Sequence, residues 1–261
     1  MATRTRVALV RQPESNLADG EVTHIERSPV DLAKAREQWL GYIAALHDHG
    51  WSTIEVEPAP GCADSVFVED AAVVHGRSAL LCRPGVDSRR AEVSAVGVRL
   101  AELGYRIGEI TAPGTLDGGD VMQIGATIYI GLGGRTNAAG IAQAAEFFAG
   151  DDATVVTVPN TRVLHLKSAV TALPDGRVIG YEPVVEDPAA FDAFIAMPEE
   201  SGAHVVNLGD DHLLMSANCP QSQAALEAFG YTIVPVDISE YEKLEGCVTC
   251  LSIRLRDLPS V

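Results

Sequence analysis

An α/β fold of five similar modules is what this sequence predicts, and three observations lead there. A helix start signal, an apolar helical stripe, a closing glycine and an alternating strand recur along the chain. Polar residues able to do chemistry follow the strands at comparable distances. No low-complexity linker separates the repeats, so residues 1–261 read as a single domain.

The first module is the clearest. Ser28-Pro29 supplies an N-cap and a first-turn proline, with Asp31 placed to answer the cap. Leu32, Ala35, Trp39, Ile43 and Leu46 line one helical face, Gly50 stops the helix in a left-handed conformation, and Trp51 to Val56 alternates as a strand. In the second, Val93, Val96, Leu100 and Leu103 precede Gly104 and a strand over 105–110. Asn137 caps the third helix through Ile141 and Phe148, ahead of Gly150 and a strand over 155–158. Asp187-Pro188 is expected to open a fourth helix through Phe191 and Ile195 that stops before Pro198, with Gly202 and a strand over 205–208 behind it. Pro220 opens the last, through Leu226 and Phe229 to Gly230 and a strand over 231–236.

Asp64, Asp117 and His165 follow the closing glycines of their modules by 14, 13 and 15 residues, and Cys250 follows Gly230 by 20. If the modules surround an axis, these groups converge. The fourth module departs from the pattern, offering Asp210-Asp211 sooner.

The composition is that of a globular protein, 47% hydrophobic and 21% charged. The net charge of −17 disfavours nucleic acid and anionic membranes as partners. A solvated acidic surface accounts for that charge, and so does attraction of a small cation. The apolar stretch near the N-terminus, Val7 to Val10, is too short for a signal peptide or membrane span, which points to the cytoplasm. Five cysteines in a reducing compartment argue against a disulfide framework.

Each candidate has a plainer alternative. Asp64, Glu69 and Asp70 flank Val66-Phe67-Val68; they are either a solvated loop edge or carboxylates that need partners beside a buried run. Leu116-Asp117-Gly118-Gly119-Asp120 is a tight turn, and its aspartates would repel phosphate. His165 between leucines is either a hydrogen-bonded core residue or a catalyst at the end of the third strand. Cys247-Val248-Thr249-Cys250 has the spacing of a redox or zinc pair. A redox pair usually opens a helix, whereas residues 248–255 read as a strand, and a structural zinc site lacks two further ligands. There remain a buried inert thiol and a nucleophile partnered in space with a distant histidine.

Taken in order, Phe67-Val68-Glu69-Asp70, Leu116-Asp117-Gly118-Gly119-Asp120, Arg135-Thr136-Asn137, Leu164-His165-Leu166-Lys167-Ser168 and Gly246-Cys247-Val248-Thr249-Cys250 closely resemble the dimethylarginine dimethylaminohydrolase family. The motifs span nearly the whole chain; singly each is weak, but the ordered set is specific. The resemblance implies a five-bladed α/β propeller (pentein) and a guanidino-group hydrolase needing no cofactor and no metal. It implies Cys250 as nucleophile, His165 as proton donor and base, and Asp70 with Asp117 gripping the guanidinium. Asp64 and Glu69 would complete an acidic wall, and Arg89 and Arg135 would hold the amino-acid end of the substrate. The carbonyl of Leu244 and a lid residue near Ile25 would finish the pocket. Some relatives carry glutamate where this chain has Asp117, a change that retains the carboxylate. The implied partner is a small cationic amino acid, a methylated arginine, and the implied assembly a homodimer.

These residue types suit that chemistry. A guanidinium is planar and always charged, and paired carboxylates match its donors while fixing its carbon before the sulfur. Carboxylates near a thiol disfavour the thiolate, so Cys250 is expected to rest protonated until a cation arrives. Arginine deiminases release ammonia and typically carry an added helical domain for which this chain looks too short; agmatine has no carboxylate for Arg89 and Arg135. A catalytically silent binding propeller would not need the cysteine, histidine and paired carboxylates together.

Overall fold

The computed structural model describes residues 5–258. Among the described residues fifteen strands form five three-stranded sheets, each with the same internal plan. A short antiparallel pair is followed by a third strand parallel to the middle one, and a crossover segment lies between them.

The first sheet joins both ends of the chain. β1 (Thr5–Val10) runs parallel to β2 (Trp51–Glu55) and antiparallel to β15 (Ile253–Leu258). Crossover helix α1 (Leu32–Asp48) starts at Asp31, whose carboxylate accepts from the backbone N–H of Ala33 and Lys34. The N-cap is therefore Asp31 and not the expected Ser28. Gly50, at φ 77°, takes the left-handed turn into β2.

The second sheet holds β3 (Ala72–His75), β4 (Ser78–Leu81) and β5 (Arg106–Glu109), with α2 (Val93–Glu102) crossing over. The third holds β6 (Val121–Ile124), β7 (Thr127–Gly133) and β8 (Thr154–Asn160), with α3 (Ala138–Ala149) capped by Asn137 through the N–H of Gly140. Here the left-handed residue is Asp152 at φ 56°, while Gly150 stays right-handed at φ −69°.

The fourth sheet, β9 (Val170–Ala172), β10 (Val178–Gly180) and β11 (Phe194–Ala196), departs from the expected helix. Asp187 does cap a turn, accepting from Ala189 N–H, but only a single 3-10 turn over Pro188–Ala190 follows. Phe194 and Ile195 then pair with Val178 and Ile179 as a strand. Phe194 packs into one core and Ile195 into the next, the period-2 pattern of a strand and not the spacing of a helix. The fifth sheet holds β12 (Val205–Gly209), β13 (His212–Ser216) and β14 (Thr232–Val236), with α4 (Pro220–Ala228) between the last two. Asp210 and Asp211, both at positive φ, make the exposed hairpin turn of this sheet and lie away from the site.

Five apolar cores lie between successive sheets and close a ring. The middle strands show how. In β1, Val7 and Leu9 face the core shared with the second sheet, whereas Ala8 and Val10 face the core shared with the fifth. In β4, Ala79 and Leu81 serve one core and Leu80 the other; in β13, Leu213 and Met215 oppose Leu214 in the same way. Each middle strand is thus apolar on both faces, and the two-residue period assigns its side chains to different neighbours. Among the described residues no helix is long and apolar enough to cross a membrane.

Candidate active site

The links that carry the chain from the third strand of one sheet to the first of the next converge on the ring axis. Asp64, Glu69 and Asp70 lie in the link from β2 to β3; Asp117 in that from β5 to β6; His165 in that from β8 to β9; and Cys250 in that from β14 to β15. A repeated architecture thereby brings residues some 180 positions apart to one place. The fourth link, residues 197–204, supplies none of the expected catalytic groups.

A small cavity is lined by Cys250, His165, Asp70, Asp64, Arg89, Arg135 and Leu244, together with Phe67, Leu164, Gly246, Glu21 and Glu245. Cys250 sits in a turn that precedes β15, in place of the strand expected over residues 248–255. Its thiol is pushed well up by the hydrogen bond with Cys247, by burial and by the nearby Glu69 and Asp70 carboxylates.

His165 is buried, and its Nε2 meets Asp117 Oδ2 at 3.0 Å while Nδ1 lies 3.8 Å from Asp70 Oδ1. Burial opposes its charge, but Asp70, the hydrogen bond to Asp117 and Asp120 outweigh that and raise it to about 9. It is therefore an imidazolium at neutral pH. Nε2 is engaged by Asp117, and Nδ1 lies beside Asp70 and Gly119.

The structure assigns Asp117 a different place from the one expected of it. Fully buried, it accepts from His165 through Oδ2 and from Gly85 N–H through Oδ1, and it does not line the cavity. Its carboxylate is spent on the histidine and the Gly85 N–H. Behind it, Asp120 accepts from Thr136 Oγ1 and the N–H of Leu166, which pins the first residue of the turn after His165; burial raises this carboxyl to about 6.

Asp70 remains on the cavity wall. Burial opposes its charge, yet His165 and Arg89 lower it to about 2. Its Oδ1 accepts from Gly119 N–H at 2.7 Å and its Oδ2 from Arg89 at 2.6 Å. Arg89 is deeply committed: beyond Asp70 it donates to Glu92 through Nε and Nη2 and to the carbonyls of Asp64 and Phe67. Its guanidinium thus braces carboxylates at the cavity edge, and Arg135, whose Nη2 donates to Thr23 Oγ1 at 3.1 Å, is the less engaged of the two arginines.

Glu69 faces away from this cavity. Lys167 at 2.6 Å and Arg254 at 2.8 Å take its Oε1, its Oε2 has no partner, and its side chain lines a larger cavity on the other side. Ile25 is 43% exposed and outside the cavity lining. Glu21, four residues earlier, lines the cavity, and its segment is tied down on both sides. Glu21 N–H donates to Asp64 Oδ2, Ser88 donates to the Glu21 carboxylate, and Glu245 accepts from the N–H of Thr23 and His24.

Sequence reasoning passed over Glu21, Thr23, Glu92 and Glu245, and named Asp120 within its turn without giving it a role. Only Glu92 left a local trace, three residues after Arg89, the spacing of a helical ion pair.

Five blades around a cysteine and an imidazolium, walled by carboxylates, define a propeller of the guanidino-group-modifying class. A family model described as arginine deiminase matches residues 102–217. The N(G),N(G)-dimethylarginine dimethylaminohydrolase of Streptomyces coelicolor is 57% identical over 97% of this chain and 98% of its own length. A crystal structure of a histidine-to-glycine variant of dimethylarginine dimethylaminohydrolase, as an adduct with S-methyl-L-thiocitrulline, superposes with a TM-score of 0.90 at 31% identity, covering 97% of this chain and all of that one. A cysteine-to-serine variant of the Pseudomonas aeruginosa enzyme complexed with citrulline gives 0.89 at 32%, with the same coverage. The chain belongs to the dimethylarginine dimethylaminohydrolase family.

Proposed function

We propose that this chain hydrolyses N-omega-methylated arginines to citrulline and methylamines. The observation that carries the reading is the meeting of Cys250, a protonated His165 and the Asp70 carboxylate on one small cavity. Asp64 and Glu21 at one edge suit an α-ammonium, and Arg135 suits an α-carboxylate. Asp70 attracts the guanidinium and sets its carbon before the sulfur.

The arriving cation offsets the carboxylates that keep Cys250 protonated, and the thiol proton leaves to solvent. Cys250 Sγ then bonds to the guanidinium carbon, giving a tetrahedral adduct. His165 donates its proton to the methylated nitrogen, the carbon–nitrogen bond breaks, and a methylamine departs from a thiouronium. Water attacks the same carbon while neutral His165 takes its proton. Breakage of the carbon–sulfur bond, with the adduct's hydroxyl proton passing to solvent or the departed amine, releases citrulline and the thiolate. Asp117 keeps His165 correctly turned through both protonation states.

The arginine deiminase match favours one second reading, in which unmethylated arginine is the preferred substrate and ammonia the leaving group. A single assay separates them: purified protein with asymmetric dimethylarginine, monomethylarginine and arginine, scored for citrulline. Preferred turnover of the methylated compounds is expected; preference for arginine overturns the substrate assignment. Cys250→Ala should lose turnover by about 10³-fold or more while still binding substrate, and retained turnover removes it as nucleophile.

A further inference from the structure

The CxxC pair is not absorbed by the hydrolytic mechanism, which uses only Cys250. Its geometry is more specific than packing requires. Cys247 Sγ lies 3.2 Å from Cys250 Sγ, and both residues are buried. The turn between them is fixed at both ends: Cys250 N–H donates to the Cys247 carbonyl at 3.1 Å, and Cys247 N–H approaches Cys250 Sγ at 3.4 Å. Thr249 Oγ1, 3.2 Å from Cys247 Sγ, steadies the second sulfur. A disulfide needs a sulfur–sulfur distance of about 2.05 Å, so closing the gap asks about 1 Å of side-chain motion. The spacing is that of a redox pair, although its setting is a turn before a strand and not the start of a helix.

Access is the second requirement. Cys250 lines the cavity, whereas Cys247 does not. A small oxidant therefore meets Cys250 with Cys247 directly behind it. The remaining cysteines, Cys62, Cys82 and Cys219, are buried elsewhere in the ring, in the link before Asp64, at the end of β4 and at the start of α4.

We propose that Cys247 and Cys250 form a reversible modification site, in which a peroxide converts the two thiols to an intramolecular disulfide that takes the nucleophile out of service. In the first step the Cys250 sulfur bonds to one peroxide oxygen, the oxygen–oxygen bond breaks, and the departing oxygen leaves as water with the thiol proton. In the second step the Cys247 sulfur attacks the Cys250 sulfenic sulfur. The sulfur–oxygen bond breaks, a second water leaves with the Cys247 proton, and the sulfur–sulfur bond forms. The two sulfurs together lose two electrons, which reduce the peroxide. A dithiol reverses the change by exchange. Cys247 thereby resolves the sulfenic acid before a second oxygen makes the damage irreversible. That oxidation stops turnover rests on Cys250 being the nucleophile; that the disulfide forms does not.

Hydrogen peroxide followed by intact and peptide mass spectrometry tests this on the full chain. No lysine or arginine lies between Lys243 and Arg254, so trypsin releases both cysteines on one peptide. Treated wild-type protein should yield that peptide about 2 Da lighter, and dithiothreitol should restore mass and citrulline formation together. In Cys247→Ser the same peptide should instead gain oxygen, and dithiothreitol should recover far less of the activity lost. Oxygen addition to the wild-type peptide, a disulfide to another cysteine, a cross-linked dimer, or equal recovery in the variant each overturns the proposal. If Cys247→Ser does not fold, the wild-type peptide decides the matter alone. A light peptide with undiminished turnover would keep the disulfide and remove Cys250 as nucleophile.

Discussion

His165 carries the charge balance of the site. Its folded pKa of about 9 stands above an unfolded value near 6.5, so its protonated form stabilises the fold. That contribution, on the order of 3 kcal/mol, is complete below about pH 6.5 and is lost as pH rises through about 9. Asp70 works in the opposite direction: lowered to about 2, it stabilises above its unfolded value and ceases to as pH falls through about 2. The same proton on His165 is needed by the leaving amine, so turnover should show an alkaline limb near pH 9. Asp117→Asn removes the anion at 3.0 Å from Nε2. Its limb should move down by about one unit or more in a kcat-against-pH profile. An unmoved limb would show that Asp117 does not hold the proton.

At the scale of elements, chemistry sits on the links and rigidity on the sheets, and glycines decide how closely links approach. A Cβ on Gly119 would lie 2.5 Å from His165 Nδ1 and 2.6 Å from Asp70 Oδ1. One on Gly118 would lie 2.1 Å from the Glu69 carbonyl, where backbone has nowhere to go. The two substitutions should therefore separate. Gly119→Ala is expected to cut kcat by about 10-fold or more through displaced side chains, with a modest fall in Tm. Gly118→Ala is expected to lower Tm strongly, because two links can no longer pack. Equal effects of both on kcat and Tm would contradict this division. The paired Asp117-Gly118-Gly119-Asp120 is legible in the sequence as a tight turn, but which neighbour requires each glycine is not.

For the whole molecule, the ring is closed by pairing of β15 with β1, and every apolar core is shared between neighbouring sheets. A ring of this kind has its polar links at the axis. The net charge of −17 should draw a cationic substrate inward at low salt. Raising salt from about 0.01 M to about 0.15 M shortens the screening length from about 30 Å to about 8 Å and should raise KM a few-fold with kcat unchanged. A salt-independent KM would confine substrate attraction to the cavity itself.

The sequence by itself determined the modular α/β plan, because caps, closing glycines and apolar periods act over a few residues and are visible there. Asn137, Gly50, Gly104 and Gly230 show this, and the order of motifs named the family. The fourth crossover escaped because the demand for a third strand beside β10 overrode a valid cap at Asp187. Only the tertiary structure decided the partners: that Asp117 holds His165, that Arg89 is spent on Asp70 and Glu92, that Glu69 faces Lys167 and Arg254, and that Glu21 lines the cavity while Ile25 does not. A buried charge must find its counter-charge wherever the ring brings one, and that distance in space has no trace in the spacing along the chain.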